Sequence, residues 1–168
     1  IKYYMPSIDY KTDKFFRKAY GGGVTSVNLT QIGLEHHNIN GKSIDINSSY
    51  PDKCANYPMP IGLPKKVEKN KVQDVYKKIM QKNYKDDKLY MISCTVSVHL
   101  KKGMLPIIIN SHCQFASATQ ISNGSVTRLF TLDELKTIHR VYNTVCMVND
   151  IFIFDTANFI FSAYYKRY

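Results

Sequence analysis

The stretch YMISCTVSVHL, residues 90–100, alternates with a period of two. Tyr90, Ile92, Cys94, Val96, Val98 and Leu100 fall on one side, and Met91, Ser93, Thr95, Ser97 and His99 on the other. Successive side chains of an extended chain point to opposite faces, so the pattern predicts a half-buried strand. Beyond it, Lys101-Lys102-Gly103 reads as a turn, 105–109 as a second strand, 110–124 as a polar loop and 126–130 as another strand. Thr131 with Glu134 forms a capping box ahead of Leu132, Leu135, Ile138, Val141 and Tyr142, which predicts a helix from about residue 132. A strand over 145–154 and an aromatic-rich helix over 157–168 follow. Before residue 90, Val72, Val75, Tyr76, Ile79 and Met80 recur at helical spacing with lysines between them, a basic amphipathic helix over about 68–82. Pro58, Pro60 and Pro64 break the chain ahead of it and mark a subdomain boundary. Interspersed strands and helices predict an α+β fold with a mixed, mostly antiparallel sheet and a few helices.

The chain has 168 residues, 44% of them hydrophobic, enough for a real core and too many for a disordered tail. No apolar run reaches the ~18 residues that span a bilayer, so no membrane partner is expected. The opening Ile-Lys-Tyr-Tyr-Met-Pro has no signal-peptide layout and suits a piece of a longer protein. Cys54, Cys94, Cys113 and Cys146 form no CxxC pair and no zinc spacing. They read as free thiols in a reducing compartment, with Cys94 and Cys146 as small core residues. His36-His37 reads as a surface pair. Formal net charge is +10 with a pI near 9.4, and residues 65–88 alone hold nine lysines against four acids. Such an excess suits a polyanion partner bound in a salt-sensitive way. It suits a solvated lysine-rich face equally well.

Toward the N-terminus, residues 14–20 run into Gly21-Gly22-Gly23, where a loop is expected. Residues 24–27 read as a short strand, 42–46 as a short buried strand, and 48–57 as one or two helical turns with Pro51 near the start. Asp45 inside an apolar strand is costly unless compensated. A divalent cation would compensate it, with phosphate oxygens completing the shell. So would a local cap, accepting from the amides of Asn47 or Ser48. Tyr50, beside Pro51, suits a core position when taken alone, and the glycines suit a tight turn.

The neighbours of Asp45 bear on that choice. DINSSYP, residues 45–51, resembles motif A (Dx2SLYP) of family B DNA polymerases, and KAYGGGVTSVN, residues 18–28, resembles their YxGG segment. The order of these motifs, then YPMPIGLP (57–64), ISCTVSVHLKKGMLPIIIN (92–110) and TLDELKTIHRVYNTV (131–145), is similar to the protein-primed, φ29-like branch. The resemblance runs from about residue 14 to the C-terminus. It implies a partial palm over 1–56, an inserted α+β subdomain (terminal protein region 1) over 57–158, and a return helix over 159–168. Asp45 would bind both catalytic Mg2+ ions, and Ile46 would offer its carbonyl to the nucleotide-bound one. Tyr50 would pack under the sugar of the dNTP as a steric gate against a 2′-hydroxyl. Ser48 would lie near the template or the priming protein. Tyr20, Gly22 and Gly23 would handle single-stranded template.

The insertion would contact terminal protein and primer–template DNA, with Lys65, Lys66, Lys69, Lys71, Lys77 and Lys78 as candidates. Two departures stand out: Ser49 replaces the motif leucine, and Gly21 the basic residue of YxGG, although Arg17 and Lys18 are near. The second metal-binding carboxylate, in a YxDTDS segment, has no counterpart; IFDTANF, with Asp155, lacks its tyrosine and second aspartate. The fingers lysine and the exonuclease acids are also missing. The resemblance therefore implies a monomeric fragment of a DNA-directed DNA polymerase, inactive alone, in the cytoplasm of a cell hosting a phage or mobile element. The alternative is a stand-alone basic module that binds nucleic acid or protein without catalysis.

Overall fold

A computed structural model describes residues 7–19, 33, 35, 42, 45, 49–108 and 120–157. Its centre is β2 (Leu89–Leu100), in which Tyr90, Ile92, Cys94, Val96 and Val98 are at most 5% exposed. This strand pairs with β3 (Asn123–Thr131) on one side and β4 (Tyr142–Ala157) on the other. β4 in turn pairs with β1 (Met59–Lys66), giving the order β1-β4-β2-β3 with every pairing antiparallel. Two helices, α3 (Val72–Ile79) and α4 (Leu132–Val141), cover one face. Val72 and Ile79 from α3, and Leu135, Ile138 and Val141 from α4, pack with Phe130, Ile151 and the even-numbered residues of β2. Each such side chain contributes about 1.5–3 kcal/mol by leaving water, so this layer is the core. The expected α+β class stands as read, and the strand read over 90–100 is observed with one more residue, Leu89, at its start. Among the described residues, no helix is long and apolar enough to cross a membrane.

The capping box is formed. Thr131 Oγ1 accepts from the Glu134 amide at 3.2 Å, the Glu134 carboxylate reaches back to the Thr131 backbone, and Arg128 pairs with that carboxylate. Burial raises the pKa of Glu134 against the pull of Arg128 and the Thr131 amide. A polar chain threads the same layer. The Cys94 and Cys146 thiols influence each other's titration, and the Tyr76 hydroxyl acts on Cys146 as well. That hydroxyl lies 3.2 Å from His139 Nε2, whose Nδ1 lies 2.7 Å from Thr144 Oγ1. Cys94, with Tyr76, lowers Cys146 to about 7 against its burial, while Cys94 is itself pushed up. Cys54, Cys94 and Cys146 are all free thiols.

The structure corrects several expectations. The proline-rich stretch is β1, not a break. It lies at the sheet edge, where a missing amide removes no central ladder bond. Its register slips between Ile61 and Lys65, and Gly62 takes a positive φ of 69° that side-chain-bearing residues avoid. Residues 105–108 form no strand. Their backbone is taken instead by the buried Tyr142 hydroxyl, which accepts from Ile107 N at 2.8 Å and Ile108 N at 3.3 Å and donates to Ile121 O at 2.9 Å. Ile121 N donates to Ile108 O at 2.8 Å. The basic helix is shorter than 68–82 because Lys69–Lys71 forms a 3-10 turn ahead of it.

Asn123 and Gly124 belong to β3, and Ala157 to β4 rather than to a final helix. The rest of that helix, the strand at 24–27, His36-His37 and Cys113 lie outside the described residues. The buried strand at 42–46 is not borne out at Lys42 and Asp45, which are exposed and outside any strand, where both charges keep their hydration.

One helix was not anticipated. α1 (Tyr10–Arg17) is started by Asp9, whose Oδ1 accepts from Thr12 N at 3.0 Å. It docks on the sheet face opposite α3 and α4, with Phe16 5.3 Å from Phe152 and 5.4 Å from Phe154, centroid to centroid. Phe15 lies 5.3 Å from Phe152.

Tyr142→Phe strands two amides and a carbonyl at once. It is expected to lower the stability to urea by about 2–3 kcal/mol with an unchanged m-value, and to speed proteolysis between residues 105 and 122.

Candidate nucleic-acid interface

Tyr50 lies in the first turn of α2 (Ser49–Asn56) and is 85% exposed. It is therefore no core tyrosine. Ala55, 5% exposed, anchors the helix; Asn56 Nδ2 donates to Asp52 Oδ1 at 2.8 Å, and Lys53 Nζ lies 3.9 Å from the Tyr57 ring centroid. Two residues, Tyr57 and Pro58, separate α2 from β1, so the sheet edge fixes where α2 ends. Asp45 stands four residues ahead of this helix in irregular backbone, exposed. Its compensation is thus not forced by burial. Tyr20, Gly22, Gly23, Ile46 and Ser48 lie outside the described residues. Among the described residues, no three His, Cys, Asp or Glu groups come together as a metal site. Asp45 alone does not make up the carboxylate set that Mg2+ chemistry needs.

The candidate lysines separate into two groups. Lys65 and Lys88 both meet Asp155, at 3.3 and 2.6 Å, and Lys66 and Lys69 both meet Asp150, at 3.0 and 2.9 Å. Lys69 Nζ also donates to Asn149 O at 3.0 Å, and Lys71 pairs with Glu68 at 2.6 Å. Hydrogen bonds from Lys88 and Lys65 hold Asp155 below the usual carboxylate range. Burial pushes Asp150 up, but Lys69 and Lys66 outweigh it and its pKa is also lowered. Lys65, Lys66, Lys69 and Lys71 are therefore already paired, mostly with carboxylates of β4 that were not recognised as their partners. Lys78 lies 5.9 Å from the Tyr84 ring, and Lys77 makes no ion pair among the described residues. Both are exposed on the outer side of α3.

A cleft of about 990 Å³ opens between α1 and the β1–β4 edge. Tyr10, Lys14 and Phe15 line one wall, and Leu63, Lys66 and Phe152 the other. The β1 bulge turns Leu63 outward, leaving it 58% exposed. This site was missed in the sequence, although Lys11, Lys14 and Lys18 at i, i+3 and i+7 carry a signal for it: one face of a helix.

A family model described as DNA polymerase type B, organellar and viral, matches residues 1–168. No curated protein sequence matches the chain. Among solved structures, the φ29 DNA polymerase ternary complex with primer-template DNA and incoming nucleotide is similar with a TM-score of 0.69 at 19% identity. That match covers 99% of this chain and 28% of the polymerase. The orthorhombic form of the same polymerase gives a TM-score of 0.71, and its complex with single-stranded DNA 0.68, both at 19% identity. The chain thus has the fold of a segment spanning about 28% of that enzyme's length.

Two outcomes follow from the ion pairs. Asp150→Asn with Asp155→Asn frees Lys65, Lys66, Lys69 and Lys88, so duplex DNA affinity is expected to rise at low salt. The slope of log K against log salt is expected to steepen, by up to about 0.9 for each lysine that reaches a phosphate, in a filter-binding titration. Since both folded carboxylate pKa values lie below the ordinary 3.8, their stabilisation is complete above that pH and is lost as pH falls through the lower folded values. Urea midpoints between about pH 5 and about pH 3 are expected to fall less in the double variant than in the unaltered chain.

Proposed function

The chain belongs to the organellar and viral type B DNA polymerases, and on that footing we propose that it is the motif A and terminal-protein-contacting part of a protein-primed DNA polymerase. The observation that carries this reading is the motif order, with DINSSYP presenting an exposed Tyr50 at the head of α2. A side chain that must touch a nucleotide has to be reachable, and Tyr50 and Asp45 both are. Residues 1–56 are read as the start of the palm, 57–158 as the insertion, and 159–168 as the return toward palm and fingers.

In the assembled enzyme, Asp45 and the Ile46 carbonyl would be ligands to magnesium, which polarises the α-phosphate when bound. A second carboxylate must come from the rest of the polymerase. Asp155 is not suited to that part, because Lys65 and Lys88 already hold it in β4. Tyr50 would close off the space where a ribose 2′-hydroxyl sits, while Ser48 and the Tyr20-Gly22-Gly23 turn would guide template. The φ29 complexes contain primer-template DNA, nucleotide or single-stranded DNA. We carry these partners, and terminal protein, to this chain. The exposed Lys77 and Lys78 are the lysines best placed to meet them.

The exposed lysines of α1 and α3, without a carboxylate partner among the described residues, suit one further reading, a basic binding module without catalysis. Asp45→Ala in the complete polymerase separates the two. On the polymerase reading, nucleotide incorporation falls at least about 100-fold, near 2.7 kcal/mol in barrier, with the fold intact by circular dichroism. Tyr50→Val is expected to admit ribonucleotides while retaining deoxynucleotide incorporation. Unchanged incorporation by Asp45→Ala leaves only the binding module.

A further inference from the structure

We propose that the cleft between α1 and the β1–β4 edge binds single-stranded nucleic acid, at a place separate from Asp45 and Tyr50. The inference rests on the reading of the chain as part of a DNA polymerase, and its evidence is the charge and shape of the cleft.

The acids around the cleft are already engaged. Asp9 caps Thr12 with both oxygens, at 3.0 Å to the amide and 2.6 Å to the hydroxyl. Asp13 meets Arg17 at 2.6 Å, and Asp150 meets Lys66 and Lys69. Lys11, Lys14 and Lys18 are exposed, share one face of α1 and its last turn, and make no ion pair among the described residues. Among the described residues they form a stripe of three positive charges without a carboxylate partner, beside an apolar lining of Phe15, Phe16 and Phe152. Tyr10 presents a ring 78% exposed at the rim, with Lys14 Nζ 5.8 Å from its centroid.

A positive track for phosphates beside open aromatic and apolar surface is how sequence-tolerant single-strand sites are built, because unpaired bases offer faces for stacking. A duplex hides those faces and would meet only the lysines. An acidic peptide would match the charge without needing Tyr10.

The test is a fluorescence-anisotropy titration of the 168-residue chain with a labelled oligothymidylate about twelve nucleotides long. Lys11→Gln/Lys14→Gln/Lys18→Gln is expected to weaken binding at least tenfold and to flatten the log K against log salt slope by about two, at ~0.7 per phosphate contact. Tyr10→Ala is expected to weaken it at least fivefold with the slope unchanged. Lys82→Gln/Lys85→Gln/Lys102→Gln, removing equal charge elsewhere, should bind as the unaltered chain does. All variants alter exposed side chains, and thermal melts check that they fold.

The proposal is overturned if the unaltered chain does not bind, if the control triple loses as much as the α1 triple, or if duplex or a poly-glutamate peptide competes as well as the single strand. Asp45→Ala should bind the oligonucleotide normally. Loss of polymerase activity in that variant and loss of binding in the α1 variants are therefore independent results.

Discussion

The pairing of β2 with β4 is the constraint on which the rest depends. It runs from Leu89 opposite Phe154 to Leu100 opposite Tyr142, with one irregularity between Ser93 and Cys94. A one-residue slip would turn every buried side chain of β2 outward, so the apolar alternation and the ladder enforce each other. From this register come the placement of Ile151 and Val148 under the helices and of Phe152 and Phe154 on the opposite face. The aromatic pair is what α1 docks against. The N-terminal helix therefore owes its position to a strand more than a hundred residues later in the chain.

The same strand organises the charge. Asp150 and Asp155 of β4 draw in lysines from β1 and from the segments on either side of α3, and these pairs bind the edge strand to its neighbour. Exposed pairs of this kind contribute little to stability. Their larger effect is on what remains: with the β1 lysines paired, Lys11, Lys14 and Lys18 of the α1 segment and Lys77 and Lys78 of α3 are among the cations without a carboxylate partner among the described residues.

Polar groups inside the core follow a comparable economy. The Tyr142 hydroxyl satisfies three backbone groups where no strand forms, and at the rim of the core Tyr84 and Tyr90 both donate to the exposed Asp86, at 2.6 and 2.5 Å. Burial drives the Asp86 pKa up, yet the two phenols and the Lys88 amide prevail and lower it. Burial also raises Tyr90, with help from its hydrogen bond to Asp86, so the phenol stays protonated and able to donate.

Periodicity and capping alone determined β2, β3, β4, α3 and α4, because their patterns are local: alternation in Tyr90–Val98, 3.6-residue spacing in Val72–Met80, and Thr131 followed by Glu134. The family was legible in DINSSYP and in the order of the other motifs, which composition could not have shown. The edge strand through Pro60 and Pro64, the absence of a strand at 105–108, the helix at Tyr10–Arg17, the exposure of Asp45 and the pairing of Lys65 and Lys66 were decided only in three dimensions. All but the exposure of Asp45 turn on a partner far along the chain: β4 for the prolines and lysines, Tyr142 for the irregular segment, Phe152 and Phe154 for α1. A local pattern says what a segment is able to form; the energy of a contact between distant residues selects which of those forms it keeps.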